Sequence, residues 1–207
     1  MNNKLDKEVL ENHQRYLERN NFYKRLGCDI DQERKFILDK AQPLFGDILE
    51  VGTGRGHFAL TLARKGYRFV SVDVCEEAQK IAKLNLRYFG LEGLADFRIE
   101  NAESLSFQDK SFDLIFSINT FHHLINPFIV MDELIRVLTF EGKIILSDFT
   151  KEGLDLMDKI HRSEGRIHEV SEVALSDIEK YLLGKGFITT KERSEFQQIV
   201  IACHQII

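Results

Sequence analysis

The stretch that decides the fold is ILEVGTGRGHF, residues 48–58. Its first four residues resemble a buried strand apart from the acid Glu50, and glycines then occupy every second position at Gly52, Gly54 and Gly56. Glycines between a strand and a helix let the backbone approach a bound molecule closely, and the helix N-terminus offers free N–H groups. The stretch therefore predicts a ligand site at the carboxyl end of a first strand.

Glycine spacing separates the classes of ligand. A phosphate-binding P-loop requires G-x-x-x-x-G-K-[ST], which the sequence lacks. A dinucleotide fingerprint requires G-x-G-x-x-G, but His57 stands where its third glycine would fall. The observed pattern is E-x-G-x-G-x-G. On spacing alone, an NAD-type site, another adenosine ligand and a glycine turn without a ligand all stay open.

Strand and helix patterns alternate from residue 47 onward. The strand-like segments are DILEV, YRFVSVD, ADFRIE, SFDLIFSI and GKIILSDF, with helical patterns such as EEAQKIAKLNLRYFG and NPFIVMDELIRVL between them. This alternation predicts right-handed βαβ crossovers and a parallel sheet with helices on both faces. GFITTKER and FQQIVIACH follow each other without a helix and predict an antiparallel C-terminal hairpin. The predicted fold is α/β, a Rossmann-like, doubly wound, mainly parallel seven-stranded sheet.

Composition narrows the classes of function. The 207 residues carry a formal net charge of -5, which argues against broad binding to a nucleic-acid backbone. The three cysteines are too few and too far apart for a disulfide framework or a zinc ribbon. Because the N-terminus is polar and no apolar run reaches about 18 residues, we expect a cytoplasmic protein without a membrane span. The sequence leaves a homodimer open.

Three further signals follow the glycines. Asp73 ends the second strand, where a carboxylate can accept hydrogen bonds from ribose hydroxyls, although it could also cap the next helix. ENAESLSF (100–107) follows the third strand, and FDLIFSINTFHH (112–123) runs from the fourth strand into Asn119 and two histidines. With ELIRVLTFEGKIILSDF (133–149), the series resembles the class I S-adenosylmethionine-dependent methyltransferases, and most nearly the type 11 group that includes quinone-biosynthesis enzymes. The resemblance covers residues 45–150.

The resemblance implies S-adenosylmethionine as the cofactor and a role for each matching position. The glycine loop would border the methionine part, with Glu50 organising the loop, and Asp73 would hold the ribose. Asn101, where the family usually has Asp, would accept a hydrogen bond from the adenine amine. The predicted cofactor-binding residues are Glu50, Gly52, Thr53, Gly54, Gly56, Asp73, Val74, Asn101, Ala102 and Asn119.

The implied function is methyl transfer from S-adenosylmethionine to a small-molecule acceptor. An NAD-type oxidoreductase and a non-enzymatic S-adenosylmethionine-binding module are the alternatives. His122 and His123 are the predicted catalytic residues, because a histidine can act as a general base near neutral pH. His57 has no predicted role.

The acceptor pocket is predicted from Tyr23, His161 and His168. If residues 161–168 are helical, His161, Glu164 and His168 share one face with metal-ligand geometry. Because the segment is strongly polar and contains Gly165, a solvated lid without a metal is the favoured interpretation.

We expect a single methyltransferase domain over residues 1–207. It comprises an N-terminal helical cap (1–42), a cofactor-binding core (45–150), an acceptor-side lid (151–170) and a C-terminal helix and hairpin (171–207). The C-terminal helix is predicted to begin with Ser171 or Ser176 as its N-cap.

Overall fold

The computed structural model describes residues 6–163, 165, 171 and 173–205. Two helices, α1 (Lys7–Arg25) and α2 (Ile30–Lys40), come first. The alternating part comprises β1 (Ile48–Val51), α3 (His57–Arg64), β2 (Phe69–Asp73), α4 (Glu76–Tyr88), β3 (Ala95–Ile99), β4 (Phe112–Ile118), α5 (Pro127–Val137) and β5 (Leu138–Phe149). The chain then forms α6 (Lys151–Ser163), α7 (Leu175–Gly184), β6 (Phe187–Arg193) and β7 (Gln197–His204).

All seven strands form one sheet in the order β3-β2-β1-β4-β5-β7-β6. The strands β1 to β5 pair in parallel, whereas β7 is antiparallel to both β5 and β6. This arrangement confirms the predicted fold class, including the C-terminal hairpin. The strand order reverses between β1 and β4, and ligands bind outside the carboxyl ends of the strands at such a point. The glycine loop lies at that end of β1.

Apolar side chains cover both faces of the sheet. Leu49 and Val51 of β1 belong to a core that includes buried residues of α5 and α7. Ile48 points to the other face and packs in a core with α2 and α3. Because successive side chains of a strand alternate between faces, a continuous apolar run such as β1 indicates a strand buried on both sides.

A third buried cluster joins the N-terminal helices to α6. Tyr23, Cys28 and Ile30 pack with Leu156 and Ile160. The N-terminal helices α1 and α2 therefore contact α6. They meet it above the carboxyl ends of the strands. This contact closes the region beyond the glycine loop from one side.

The segment after β5 begins with a helix that the sequence analysis does not predict. Residues 151–163 form the helix α6, and Gly165 has a φ of 70°, in the left-handed region that ends helices. The helix α6 therefore does not continue through Gly165, and the metal-ligand set of His161, Glu164 and His168, which depended on a helix over residues 161–168, stays an untested prediction. Glu164 and His168 themselves lie outside the described residues.

The start of α7 also differs from its prediction. The N-cap is Ala174, whose backbone N–H donates to the Asp177 carboxylate at 3.2 Å, so neither Ser171 nor Ser176 caps the helix. The backbone N–H of Ser171 instead donates to the carbonyl oxygen of His122 at 2.6 Å. This bond ties the segment before α7 to the predicted catalytic histidines. No helix in the described ranges combines the length and apolar character that crossing a membrane requires.

Candidate active site

The three glycines after β1 serve different purposes. A Cβ on Gly56 would lie 2.6 Å from the Cβ of Ala82, so this glycine allows α3 to pack closely against α4. A Cβ on Gly52 would overlap the hydroxyl of Thr120. Gly54 has open space within 4 Å of its missing side chain. All three have positive φ angles, between 50° and 88°, which glycine adopts without the steric cost of a Cβ.

Glu50 lies beneath the loop and not on its open side. The side chain is 2% exposed, and the hydroxyl of Ser71 donates to it at 2.5 Å. The hydroxyls of Ser71 and Thr53 are 2.6 Å apart, and the Gln79 amide donates to Thr53 at 3.1 Å. This chain of hydrogen bonds connects β1, β2, α4 and the loop. The acid in the strand is therefore one end of a buried polar network that holds the loop in place.

Burial raises the pKa of Glu50 to about 8. The Ser71 hydrogen bond acts in the opposite direction, and the nearby carboxylate of Asp73 adds to the increase. In the folded protein Glu50 consequently keeps its proton in a pH range where an unfolded chain would release it.

We expect the free energy of unfolding to decrease as the pH rises from about 4.5 to about 8, because unfolding releases the Glu50 proton in this range. The contribution is at most about 1.4 kcal/mol per pH unit. Glu50→Gln should reduce this dependence, because the amide is neutral at every pH. Urea unfolding of both proteins across this range measures the difference. Equal pH dependence in the two proteins would contradict the assignment.

A cavity of about 290 Å³, the loop cavity, lies outside the carboxyl ends of β1, β2 and β4. Its wall includes most of the predicted cofactor-binding residues, namely Gly52, Gly54, Asp73, Val74, Asn101, Ala102 and Asn119. Glu50, Thr53 and Gly56 do not line it. The acids Glu100 and Glu103, which the sequence analysis did not select, contribute to the same wall.

The carboxylate of Asp73 is fixed by two backbone N–H groups. Its Oδ2 atom accepts from Gly54 at 2.7 Å, and its Oδ1 atom accepts from Cys75 at 2.8 Å. It does not cap α4, whose N-cap is Cys75. Each oxygen retains a lone pair for a further donor. A carboxylate held in this way at the cavity wall fits the two hydroxyls of a ribose.

Two asparagines line the loop cavity. Asn101 follows β3 and accepts from the backbone N–H of Glu103 at 3.0 Å, which orients its amide. Asn119 follows β4 with a φ of 54°, a conformation that few residues other than glycine adopt. Both amide atoms of Asn119 are buried without a hydrogen-bond partner among the described residues. Such atoms are rare in folded proteins, and a bound polar ligand would supply the missing partner.

A second cavity, of about 220 Å³, lies between α1, α2, α6 and the end of β4, and we call it the helix cavity. It shares Asn119 and His123 with the loop cavity. The predicted residues Tyr23, His122 and His161 also line it, whereas His168 lies outside the described residues. Within the described ranges, no group of three or more His, Cys, Asp and Glu side chains could hold a metal ion.

His122, which lines the helix cavity, forms a buried pair with Asp148. The Nδ1 atom of His122 lies 2.5 Å from Oδ1 of Asp148, and the backbone N–H of His122 donates to Oδ2 at 3.2 Å. Their side chains are 8% and 9% exposed. With the proton on Nδ1, this contact leaves Nε2 as the basic ring nitrogen. Asp148 is not among the predicted site residues, although an acid at the end of a buried strand is the same signal that marks Asp73.

The comparisons with known proteins agree with this geometry. Residues 49–146 match the family model Methyltransf_11, described as a methyltransferase domain. The chain is 28% identical over 134 residues to the uncharacterized methyltransferase YcgJ of Bacillus subtilis, covering 65% of this chain and 53% of that protein. It is 24% identical over 154 residues to the ubiquinone/menaquinone biosynthesis C-methyltransferase UbiE of Pasteurella multocida, covering 72% and 58%.

A solved structure shares the fold. A SAM-dependent methyltransferase from Aquifex aeolicus superposes with a TM-score of 0.65 at 23% identity, over 82% of this chain and 88% of that one. The chain spans about half the length of the curated relatives it matches. None of these comparisons favours an NAD-type oxidoreductase. Residues 49–146 therefore match a methyltransferase domain, and the chain is similar to the class I S-adenosylmethionine-dependent methyltransferases, whose cofactor is S-adenosylmethionine.

Proposed function

We propose that this protein transfers a methyl group from S-adenosylmethionine to a small-molecule acceptor. The observation that carries the proposal is the junction of the two cavities at Asn119 and His123. One cavity has the residues that an adenosine ligand needs, and the other has a histidine–carboxylate pair. A cofactor and an acceptor bound side by side would meet at the junction.

We assign the loop cavity to the cofactor. Val74, Asn101 and Ala102 would surround the adenine, and Asp73 would hold the ribose hydroxyls. Gly52, Gly54 and Asn119 would border the methionine part, with Thr53 and Glu50 supporting the loop from behind and Gly56 packing it on α4. When bound, S-adenosylmethionine supplies a methyl group that its sulfonium already activates.

We assign the helix cavity to the acceptor. His122 would take a proton from an acceptor hydroxyl or amine, because Asp148 holds its ring and stabilises the imidazolium that results. His123 would border both molecules at the junction. Tyr23 and His161 would line the acceptor from α1 and α6. The helices would hold the two reactants in position. They would also exclude water from the space between the reactants.

The domain division follows the same assignment. We propose that residues 1–42 cap the site, residues 45–150 bind the cofactor, residues 151–170 cover the acceptor, and residues 171–207 complete the sheet. The buried contact of α1 and α2 with α6 supports the pairing of cap and lid. The volume of about 220 Å³ and the net charge of -5 favour a small molecule over a nucleic acid as the acceptor.

Asp73→Ala should weaken the binding of S-adenosylhomocysteine by about 1–3 kcal/mol, through the loss of charge-assisted hydrogen bonds to the ribose. Isothermal titration calorimetry measures the dissociation constant. Asp39→Ala is the matched control, because it removes an exposed aspartate from the outer part of α2. If both variants bind as tightly as the wild type, the ribose assignment is wrong.

The two alternatives make different predictions for the same protein. An NAD-type oxidoreductase would bind NADH tightly and S-adenosylhomocysteine weakly, the reverse of our expectation. A non-enzymatic module would bind S-adenosylhomocysteine but transfer no label from methyl-labelled S-adenosylmethionine to any member of a broad acceptor panel. Transfer to one acceptor, abolished by excess S-adenosylhomocysteine, would support the proposed function over both.

A further inference from the structure

A buried glutamine in the wall of the helix cavity uses only one end of its amide. Gln197 is the first residue of β7, lines the cavity and is 1% exposed. The hydroxyl of Ser147 in β5 donates to its Oε1 atom at 2.9 Å. None of the hydrogen bonds among the described residues uses its Nε2 atom. A buried amide that leaves one end unpaired is rare, because the lost hydration is not replaced.

The sheet fixes the direction of this amide. Gln197 lies opposite Phe149 in the antiparallel pair of β5 and β7, and Ser147 lies two residues before Phe149. Because alternate side chains of a strand share a face, all three project from the same face of the sheet. Phe149 and Gln197 line the helix cavity, whereas Ser147 is buried beneath its wall. Ser147 therefore holds the Oε1 end within the sheet, and the Nε2 end is left to face the cavity.

The wall around Gln197 is mainly apolar. The end of β5, the helix α6 and the residue before Gln197 contribute four apolar side chains, namely Phe149, Leu156, Met157 and Phe196. A hydrogen bond from Nε2 in such surroundings does not compete with water, so a matching atom on a ligand gains from it. A ligand with an apolar body would cover the side chains around the amide.

The charged groups at the cavity are engaged with other groups. Arg34 interacts electrostatically with Glu33 and Glu50, and the carboxylate of Asp148 belongs to the pair with the neighbouring histidine. Two further arginines of the wall also have partners, namely Arg19 and Arg55.

The unmet hydrogen bonds of the wall belong to neutral groups. Besides Gln197, they are the amide of Asn119 and the Nδ1 atom of His57, both buried without a partner among the described residues. Burial lowers the pKa of His57 to about 3, so its ring is neutral at physiological pH. Neutral donors and acceptors fit an uncharged polar ligand. A carboxylate beside Gln197 would lose its hydration among apolar side chains without gaining an ion pair there.

We propose that Gln197 is a specificity-determining residue, whose Nε2 atom donates a hydrogen bond to an uncharged oxygen, carbonyl or hydroxyl, of a methyl acceptor with an apolar body. This inference rests on the proposed function, which assigns the helix cavity to the acceptor. Ser147 is the positioning residue, because it fixes the direction of the amide. Such a site rejects analogues that lack the oxygen, since the buried donor then stays unpaired.

The test measures the binding of acetophenone and ethylbenzene to protein saturated with S-adenosylhomocysteine. The two probes share a carbon skeleton, but only acetophenone carries a carbonyl oxygen. Gln197→Met keeps the length of the side chain and removes the donor. It should weaken the binding of acetophenone about tenfold and leave that of ethylbenzene no weaker than in the wild type. Absence of acetophenone binding to the wild type, or an equal change for both probes, would overturn the inference.

Benzoate tests whether the oxygen is uncharged. It places a carboxylate on the same ring and should bind the wild type more weakly than acetophenone does, because its charge finds no ion pair beside Gln197. Tighter binding of benzoate would refute the uncharged class of acceptor.

A measurement on the wild type needs no variant. In the ¹H–¹⁵N correlation spectrum, the side-chain amide protons of Gln197 should move to higher frequency when acetophenone binds, and they should move less with ethylbenzene. The same response to both probes would show that the carbonyl oxygen does not contact Nε2.

Ser147→Ala tests the positioning role. It should reduce the preference for acetophenone by less than Gln197→Met does, and it should have no further effect on that preference in the double variant. A purely structural role of Ser147 would change the binding of both probes alike, and a similar effect with and without Gln197 would contradict its action through the amide.

Gln198→Met is the matched control. This neighbour projects from the other face of the sheet, where its amide donates to the carbonyl oxygen of Phe149 at 3.0 Å. It should bind both probes as the wild type does, and thermal unfolding should show that all variants are folded. If the wild type does not bind S-adenosylhomocysteine, the proposed function itself fails. Label transfer to an acceptor, with probe binding that is unchanged in Gln197→Met, would refute this inference alone.

Discussion

Gly56→Ala is expected to destabilise the fold by about 2–5 kcal/mol. The new Cβ would lie 2.6 Å from the Cβ and 2.8 Å from the Cα of Ala82, and a backbone atom cannot move aside as a flexible side chain can. Overpacking of this kind costs about 1–3 kcal/mol. The left-handed backbone at Gly56, with a φ of 77°, adds about 1–2 kcal/mol for any residue with a Cβ.

Gly54→Ala is the matched control for this prediction. Its φ of 50° carries the same kind of strain, but apart from the adjoining residues no atom of the described chain lies within 4 Å of the new Cβ. We expect it to lose only about 1–2 kcal/mol. Urea unfolding gives both values. If Gly56→Ala loses no more stability than Gly54→Ala, the close packing of α3 on α4 is not what requires the third glycine.

His122→Ala is expected to lower kcat about 10²- to 10⁴-fold, with little change in the affinity for S-adenosylhomocysteine. The loss should be this large if the acceptor must give up a proton and His122 receives it. Asp148→Asn should also lower kcat, because an amide cannot stabilise the imidazolium as a carboxylate does. The rates are measured with any acceptor that the wild type methylates.

The neighbouring histidine provides the comparison for His122. His123 is exposed and borders both cavities. We expect His123→Ala to lose less activity than His122→Ala and to retain the pH dependence of kcat/KM. A wild-type rate in His122→Ala would show that the pair with Asp148 is structural and that positioning alone supports transfer.

The fold class can be predicted from the sequence because each element carries its own local signal. Apolar runs bounded by glycine mark the parallel strands, and Pro127 begins α5 as expected for a first helical position. The helix α6 is not evident from the sequence, although Leu156 and Ile160 show the spacing of an apolar helix face. Gly153 and the charged residues around it obscure that signal. The glycine is needed there because a Cβ would meet the carbonyl oxygen of Phe196.

The site could be predicted only in part, for a physical reason. Residues that follow strand ends in order, such as Gly52, Asp73 and Asn101, lie together because parallel strands bring these ends to one edge. The pair of His122 and Asp148 depends instead on the register of β4 against β5, in which Ile118 lies beside Ser147. That the buried amide of Asn119 has no hydrogen-bond partner among the described residues could not be predicted, because a sequence does not show how side chains pair.

The measurement that tests the central claim most directly is a crystal structure of the protein with S-adenosylhomocysteine. The account predicts adenine beside Val74 and Ala102 and the ribose hydroxyls on the Asp73 carboxylate. It places the sulfur near Asn119, facing the helix cavity. A ligand bound in the opposite direction, with its adenine toward Arg34, or bound outside the loop cavity would contradict it.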